Sequence, residues 1–553
     1  MGSPAEGAAP VAWGLPPAAS HKRKRKAVKL HRLLAVLGFL VAGFFAASNA
    51  QADKVIRVSL NTELQVLDPI VTTINATRVF AYLVFDELIG IDNEGHYHPQ
   101  MLDGWQISDD RLTYTFKLRD GLKWSDGTPV TAEDCVESIK RWAKRESFGR
   151  QMMAAADELK PIDDETFVLH LKVPFAFVIE ALGKPGNTVP VMMPARLARL
   201  DPMKAVPEIV GSGPFIFRQK EWRPGDVAVF DRNPNYKPRP EPADGLAGGK
   251  LVKVDRVELV SMTDQAIRVA ALQSGELDLV EVVSFDYVPA LKADPNIVVG
   301  TQKGTQQTME VLVINHRQPP FDKLKIRQAL QAAINQEDVL SSLGGTPDMY
   351  LKNCESIYMC DSPYSTDAGT EVYKGAGIER AKQLLKEGGY NNEKVALLHA
   401  QTSLLLNSPN LVYADQMKKA GFNVDVQTSD FATVAQRRVS QAPVDQGGWS
   451  TMGIIWNGID LVNPLSDPAV TNNCAETYPG WYCDPEQTDL LKRYAVAVNE
   501  DDRKSLAAQL QAAFHKNVNM VLGGQFSAPP AYRAALKGLI PFAFPVFWNV
   551  DKP

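Results

Sequence analysis

Histidine and cysteine are scarce in this sequence, with 8 and 5 copies among 553 residues. The cysteines are Cys135, Cys354, Cys360, Cys474 and Cys483, and no two stand in C-x-x-C spacing. That removes the usual signatures of a zinc ribbon or a thiol redox centre. The local motifs of common enzymes are missing as well. There is no G-x-S-x-G elbow, no S-x-x-K, no H-E-x-x-H and no Walker A loop. Gly211-Ser-Gly213 lacks the third glycine of a dinucleotide loop. His96 and His98 form one H-x-H pair between Gly95 and Pro99, and a solvated turn explains it without a metal. No repeat of solenoid period is present. No apolar run reaches the ~20 residues of a membrane span. These absences point away from an enzyme, a metalloprotein or a cofactor carrier, and the expectation is no catalytic residue, no metal and no cofactor.

What is there begins with a tripartite leader. Lys22, Arg23, Lys24, Arg25, Lys26, Lys29 and Arg32 form a basic block. An apolar run from Leu33 to Ala47 follows, then Ala50-Gln51-Ala52. This is the order of an export signal, predicted over residues 1–52 with cleavage near Ala52. An uncleaved anchor is the alternative. Residues 1–52 hold 7 of the 59 Lys+Arg and 1 of the 64 Asp+Glu, so the remainder carries 52 basic and 63 acidic residues, a net charge of −11. An acidic surface argues against nucleic acid or an anionic membrane as partner. No cysteine near the cleavage site offers a lipid attachment point. The expected location is a periplasm. The close pairs Cys354/Cys360 and Cys474/Cys483 suit an oxidising compartment, where each can close a small loop. A Cys474–Cys483 disulfide is expected, and the state of Cys354 and Cys360 is left open. Cys135 reads as a small buried hydrophobe.

Periodicity sets the coarse structure. Lys54 to Leu60 reads as a first strand. Leu112, Tyr114, Phe116 and Leu118 alternate with polar residues, as do Phe167, Leu169 and Leu171 further on. Thr131-Ala-Glu-Asp134 is a capping-box start, with Cys135, Ile139 and Trp142 at helical spacing behind it. Residues 232–250, rich in Pro, Gly and Asn, read as a surface loop or crossover. In the second half Asp322 is placed to cap a helix carrying Ile326, Leu330, Ala333 and Ile334. Ser408-Pro409 fits the N-cap and first turn of another, ending at Gly421, before a strand through Phe422, Val424 and Val426. Helix followed directly by strand indicates sheets covered by helices, an α/β fold.

Five ordered motifs extend across the chain: Ser108-Asp-Asp-Arg-Leu-Thr-Tyr-Thr-Phe-Lys-Leu-Arg-Asp-Gly-Leu-Lys-Trp-Ser-Asp-Gly-Thr-Pro-Val-Thr-Ala-Glu-Asp134; Gly211-Ser-Gly-Pro-Phe215; Arg232-Asn-Pro-Asn-Tyr236; Gly275-Glu-Leu-Asp278; and Asn315 ahead of Phe321 and Arg327-Gln-Ala-Leu330. Through them the sequence resembles the large solute-binding proteins of peptide/nickel-type ABC importers, which include the oligopeptide- and dipeptide-binding proteins. The resemblance implies a periplasmic-binding-protein type II two-lobed fold with an additional third domain. It places a discontinuous domain I at 53–83, 211–306 and 525–553, domain II at 84–210, and domain III at 307–524. Most motif residues read as structural: Gly121, Gly127, Gly211 and Gly213 as turn glycines, Tyr114 and Trp124 as core.

The implied function is capture of a peptide-like or other small organic solute by hinge closure, as a monomer that then meets a membrane permease and its ATPase. Two other classes fit such lobes, a secreted hydrolase and a periplasmic sensor or peptide chaperone. The resemblance places the ligand along Gly447-Gly-Trp-Ser-Thr-Met-Gly-Ile-Ile-Trp-Asn-Gly-Ile-Asp-Leu-Val-Asn-Pro464. Dipeptide binders carry an acid shortly after the first Trp, but Ser450, Thr451 and Met452 stand here. They also use an upstream Arg, but Leu404-Leu-Leu-Asn407 stands there. The residues left to hold a ligand are Trp449, Trp456, Asn457, Asp460 and Asn463, an aromatic and amide-rich set. Trp449 and Trp456 read equally well as core, and Asp460 as a turn cap. Phe526, Tyr532 and Trp548 are further aromatic candidates.

Overall fold

The computed structural model describes residues 54–471, 473–474 and 478–553. The predicted export signal, residues 1–52, lies outside the described residues.

The chain opens with β1 (Val55–Ser59) and helix α1 (Asn75–Val84). It then builds a separate sheet from β2 (Leu102–Ile107) and β3 (Thr113–Leu118), followed by α2 (Ala132–Ala143), β4 (Ala156–Pro161) and β5 (Thr166–Leu171). It returns through β6 (Phe215–Phe217), β7 (Val227–Arg232), β8 (Arg256–Val260), α3 (Gln265–Ser274), β9 (Leu279–Val280) and β10 (Ile297–Val299). A third region holds β11 (Thr308–Ile314), α4 (Leu324–Ala333), β12 (Lys394–Ala400), α5 (Asn407–Ala420), β13 (Asn423–Ser429), β14 (Thr451–Asn457) and β15 (Met520–Phe526). The short β16 (Ala531–Arg533) rejoins the first sheet.

The first sheet runs β10-β16-β9-β1-β8-β7-β6, with β1 parallel to β8 and β9. The second is antiparallel, β2-β3-β5-β4. The third runs β13-β12-β14-β11-β15. Two chain segments join the first and third sheets, one after β10 and one after β15. They are bonded to each other: Ala528 N donates to Gln302 Oε1 at 2.9 Å and Gly300 N to the Pro530 carbonyl at 2.8 Å. Paired crossings of this kind concentrate bending in a few residues, as a hinge does.

The periodic readings match the elements they point to. Tyr114, Phe116 and Leu118 are buried along β3, and Phe167, Leu169 and Leu171 along β5. Thr131 and Asp134 form the reciprocal capping box of α2, which buries Cys135, Ile139 and Trp142. Cys354–Cys360 and Cys474–Cys483 are both bonded, and Cys135 is free and buried.

Four expectations need correction. Asp322 does not cap α4: the N-cap is Lys323 and no side chain bonds the helix end. Ser408 does not cap α5, which begins one residue earlier, behind Leu406. The stretch 232–250 is irregular but not all at the surface. Its end, from Gly245 to Lys250, is buried, and Lys250 Nζ donates to Asp86 at 2.9 Å and Glu87 at 3.1 Å. Gly211 and Gly213 are not left-handed turn glycines, as Gly121 (φ 72°) and Gly127 (φ 88°) are. A Cβ on Gly211 would lie 2.0 Å from the Val84 carbonyl oxygen, and one on Gly213 2.6 Å from that of Phe85. These glycines let the chain returning from the second sheet press against the end of α1.

Candidate functional site

The expected ligand segment lies at the heart of the third sheet, because β14 is flanked by β12 and β11. Trp449 precedes that strand and is fully buried. Its Nε1 donates to the Arg438 carbonyl at 3.0 Å, and its ring packs 5.9 Å from that of Trp481. Trp456 is buried near the end of β14, opposite Met309. Asn457 is half-buried and ends the strand. Asn463 Oδ1 accepts from Leu465 N at 2.9 Å and holds a turn. The other aromatic candidates stand apart: Phe526 packs on Phe285, Tyr532 lies in β16, and the Trp548 ring sits 4.9 Å from Lys250 Nζ.

Asp460 differs from the rest of the set. It ends a short turn, Gly458–Asp460, and is 5% exposed. Its carboxylate faces away from its own sheet. Arg78 Nη1, on α1, is 3.7 Å from Asp460 Oδ2, and Asn187 N donates to Asp460 Oδ1 at 3.1 Å. One carboxylate thus meets elements attached to all three sheets. The fit is close: a Cβ on Gly186 would lie 1.8 Å from Asp460 Oδ1. Beside it Lys184 donates to the Asn187 carbonyl and stands 3.6 Å from Glu146. A stacked pair, Phe177 and Tyr494 at 5.0 Å, packs the second and third regions together nearby.

Arg78 was not singled out from the sequence. It lies in a helix whose residues from Ala76 to Val84 are all buried. Its Nη2 donates to Asn75 Oδ1, and Asn75 Nδ2 donates to Glu281 Oε1. Glu281 Oε2 also accepts from Asn61 N at 2.7 Å. The guanidinium carbon lies 4.4 Å from the centre of the Phe544 ring. Nε and Nη1 of Arg78 are buried without a hydrogen-bond partner among the described residues. Burial lowers the Arg78 pKa, and Asp460 pulls in the opposite direction. Burial also raises the Glu281 carboxyl above its ordinary value. A buried charge without full pairing is costly, so its presence marks a place where a partner of opposite charge is useful. The available signal was one arginine inside the otherwise charge-free stretch from Ile74 to Phe85.

Residues 96–473 match the family described as bacterial extracellular solute-binding proteins, family 5. The chain belongs to that family. A family 5 chain is built to bind a solute, and these buried groups between sheets stand where its regions meet. Over 512 residues the chain is 37% identical to a probable peptide ABC transporter periplasmic-binding protein of Sinorhizobium fredii, covering 92% of this chain and 95% of the relative. It is 25% identical over 363 residues to the glutathione-binding protein of Salmonella typhi, covering 65% and 66% of the two chains. Among solved structures, a dipeptide-binding protein of Pseudoalteromonas in complex with Met-Leu superposes with a TM-score of 0.75 at 19% identity, covering 90% of this chain and 100% of that one. The agropinic acid complex of a binding protein from A. tumefaciens gives 0.74 at 20% identity, covering 90% and 99%. These likenesses establish the type II periplasmic-binding fold with its added domain.

Proposed function

We propose that this chain is the substrate-binding component of an ABC importer, and that it captures a small peptide-like or other amino-acid-derived solute bearing one cationic and one anionic group. The observation that carries this reading is the meeting of Asp460 and Arg78. The two sit on different lobes, both are buried, and Nε and Nη1 of Arg78 lack hydrogen-bond partners among the described residues. A solute ammonium suits Asp460 and a solute carboxylate suits Arg78, whose planar fork matches a carboxylate. Binding to both favours the closed arrangement, because the solute then contacts two lobes at once. Closure requires no bond to be made or broken in the solute. The relatives named for peptide, glutathione and dipeptide binding fit this solute class.

In this reading the lobes are 53–83 with 211–306 and 525–553, then 84–210, then 307–524. Residues 1–52 direct export to the periplasm and are removed. The closed monomer delivers its solute to a permease driven by its ATPase. Trp449 supports the cleft wall from behind, while Trp456 and Asn457 line the approach to Asp460.

Native mass spectrometry of the purified protein identifies a retained solute, and calorimetry after its removal measures affinity. Asp460→Asn and Arg78→Gln are each expected to weaken binding by about 2–5 kcal/mol, the range for removing one member of a buried charge pair. Unchanged affinity in both variants would place the site elsewhere.

A further inference from the structure

A cavity of about 70 Å³ opens on the first lobe, at the carboxyl ends of the parallel strands β1 and β8. Its wall includes Asn61, Leu64, Trp222, Leu259, Ser261 and Arg268. Neither Arg78 nor Asp460 lines it. We propose that this cavity is a binding site for a small monocarboxylate with a short apolar chain, held by the Arg268 guanidinium.

Arg268 lies on α3 and is 5% exposed. Its Nε donates to the Met262 carbonyl, which fixes the plane of the group. Its Nη1 is buried and has no hydrogen-bond partner among the described residues. Surface arginines leave donors to solvent at no cost, but a buried unpaired donor is destabilising. An anion at this place would satisfy it. Size and lining narrow the class. One water needs about 10–15 Å³ of such space, so the cavity admits several waters or one small organic anion. Leu64, Leu259 and the Trp222 ring supply an apolar surface, while Asn61 and Ser261 supply polar groups. Glu63 also lines the wall, and its charge opposes a dianion such as phosphate more than a monoanion. Arg223 and Asp226 in the wall are paired with each other and add no net charge. A planar monoanion suits the guanidinium fork.

The site is chemically distinct from the cleft but adjoins it. Asn61, in the cavity wall, bonds Glu281 through its backbone, and Glu281 bonds Asn75, the partner of Arg78.

The test uses the purified mature protein labelled with fluorotryptophan, titrated with propionate at constant ionic strength and followed by fluorine NMR. The Trp222 resonance, assigned with Trp222→Phe, is expected to move in a saturable way at millimolar propionate. Chloride and inorganic phosphate are expected to leave it in place. Arg268→Gln is expected to weaken the response about tenfold or more. If Arg268→Gln does not fold, Ser261→Leu fills the cavity and should abolish the response. Asp460→Asn should leave it intact, which separates this site from the cleft and from the solute reading. Absence of saturation, an equal response to chloride or phosphate, or a response unchanged in Arg268→Gln or Ser261→Leu would each overturn the proposal. Loss of the response in Asp460→Asn would assign the propionate to the cleft instead and would also overturn it.

Discussion

Single buried charges are the points where this chain departs from ordinary core composition, and each has a physical consequence. Glu310 lies in the middle of β11 and is fully buried. The Tyr413 hydroxyl faces its carboxyl and is the polar group that acts on it, while Asn410 Nδ2 beside them has no hydrogen-bond partner among the described residues. Gly453 and Gly523 make room for this cluster: a Cβ on Gly523 would lie 1.9 Å from the Tyr413 oxygen. Burial pushes the Glu310 carboxyl well above the usual glutamate range. Its folded-state pKa is therefore higher than its unfolded value. Its contribution to stability is full below the unfolded pKa and is lost as pH rises through the folded one. Glu310→Gln is expected to stabilise the protein by about 1–3 kcal/mol at neutral pH and to change little near pH ~4. Urea denaturation at a series of pH values checks this. A variant less stable than wild type at neutral pH would mean the charged form has a partner. Arg78 makes the same point for function, as a residue whose chemistry is legible while its partners are not.

At the scale of elements, local rules worked where neighbours in sequence settle the outcome. The capping box at Thr131 needs only residues three apart, and it formed. The caps expected from Asp322 and Ser408 did not form, because the chain enters α4 at Lys323 and α5 begins at Asn407. The strand through Val424 and Val426 is half-buried because β13 is the sheet edge. The Cys474–Cys483 loop is another local device. Tyr482, inside it, accepts from Cys474 N at 2.8 Å through its carbonyl, and Trp481 packs against Trp449. Bridging so short a loop removes chain entropy from the unfolded state by about 2–3 kcal/mol. The double variant Cys474→Ser with Cys483→Ser is expected to lose about that much stability in denaturant titrations. Under the proposed placement of Trp449 behind the cleft, it should also weaken solute affinity, because Trp481 packs against that ring. Full stability together with full affinity would show that the bridge has neither role.

At the scale of the whole molecule, the question is what holds the lobes together. Asp460 reaches Arg78 and the Asn187 amide only when all three regions are close. Gly186 permits that approach, since any side chain there meets the Asp460 carboxylate. Gly186→Ala is therefore expected to hold the lobes apart. Small-angle X-ray scattering with saturating solute should give a larger radius of gyration for the variant than for wild type, and affinity should fall about tenfold or more. A variant that closes like wild type would show that the second lobe yields without cost. The hinge segment after β10 is bonded to the turn that carries Asp460, because Gly458 N donates to the Gln307 carbonyl at 2.7 Å, so changes there should alter the closed geometry as well as the rate of closing.

Composition, motif order and period were enough for the family, the α/β class and most strands, since these depend on local side-chain pattern and on many residues at once. Asp460 stood out in the sequence as the one acid between Gly447 and Pro464. Its partner did not. Arg78 stands 382 positions earlier in the chain than Asp460, and nothing local to α1 says what its guanidinium meets. The same holds for Gly186, whose lack of a side chain matters only against a carboxylate from another lobe. The burial of Trp449 within its own lobe and the buried end of the 245–250 segment were decided likewise by packing. Short-range pattern determines which faces are apolar; which buried charges confront one another depends on how three sheets come together, and only the tertiary structure brings those distances down to a few ångströms.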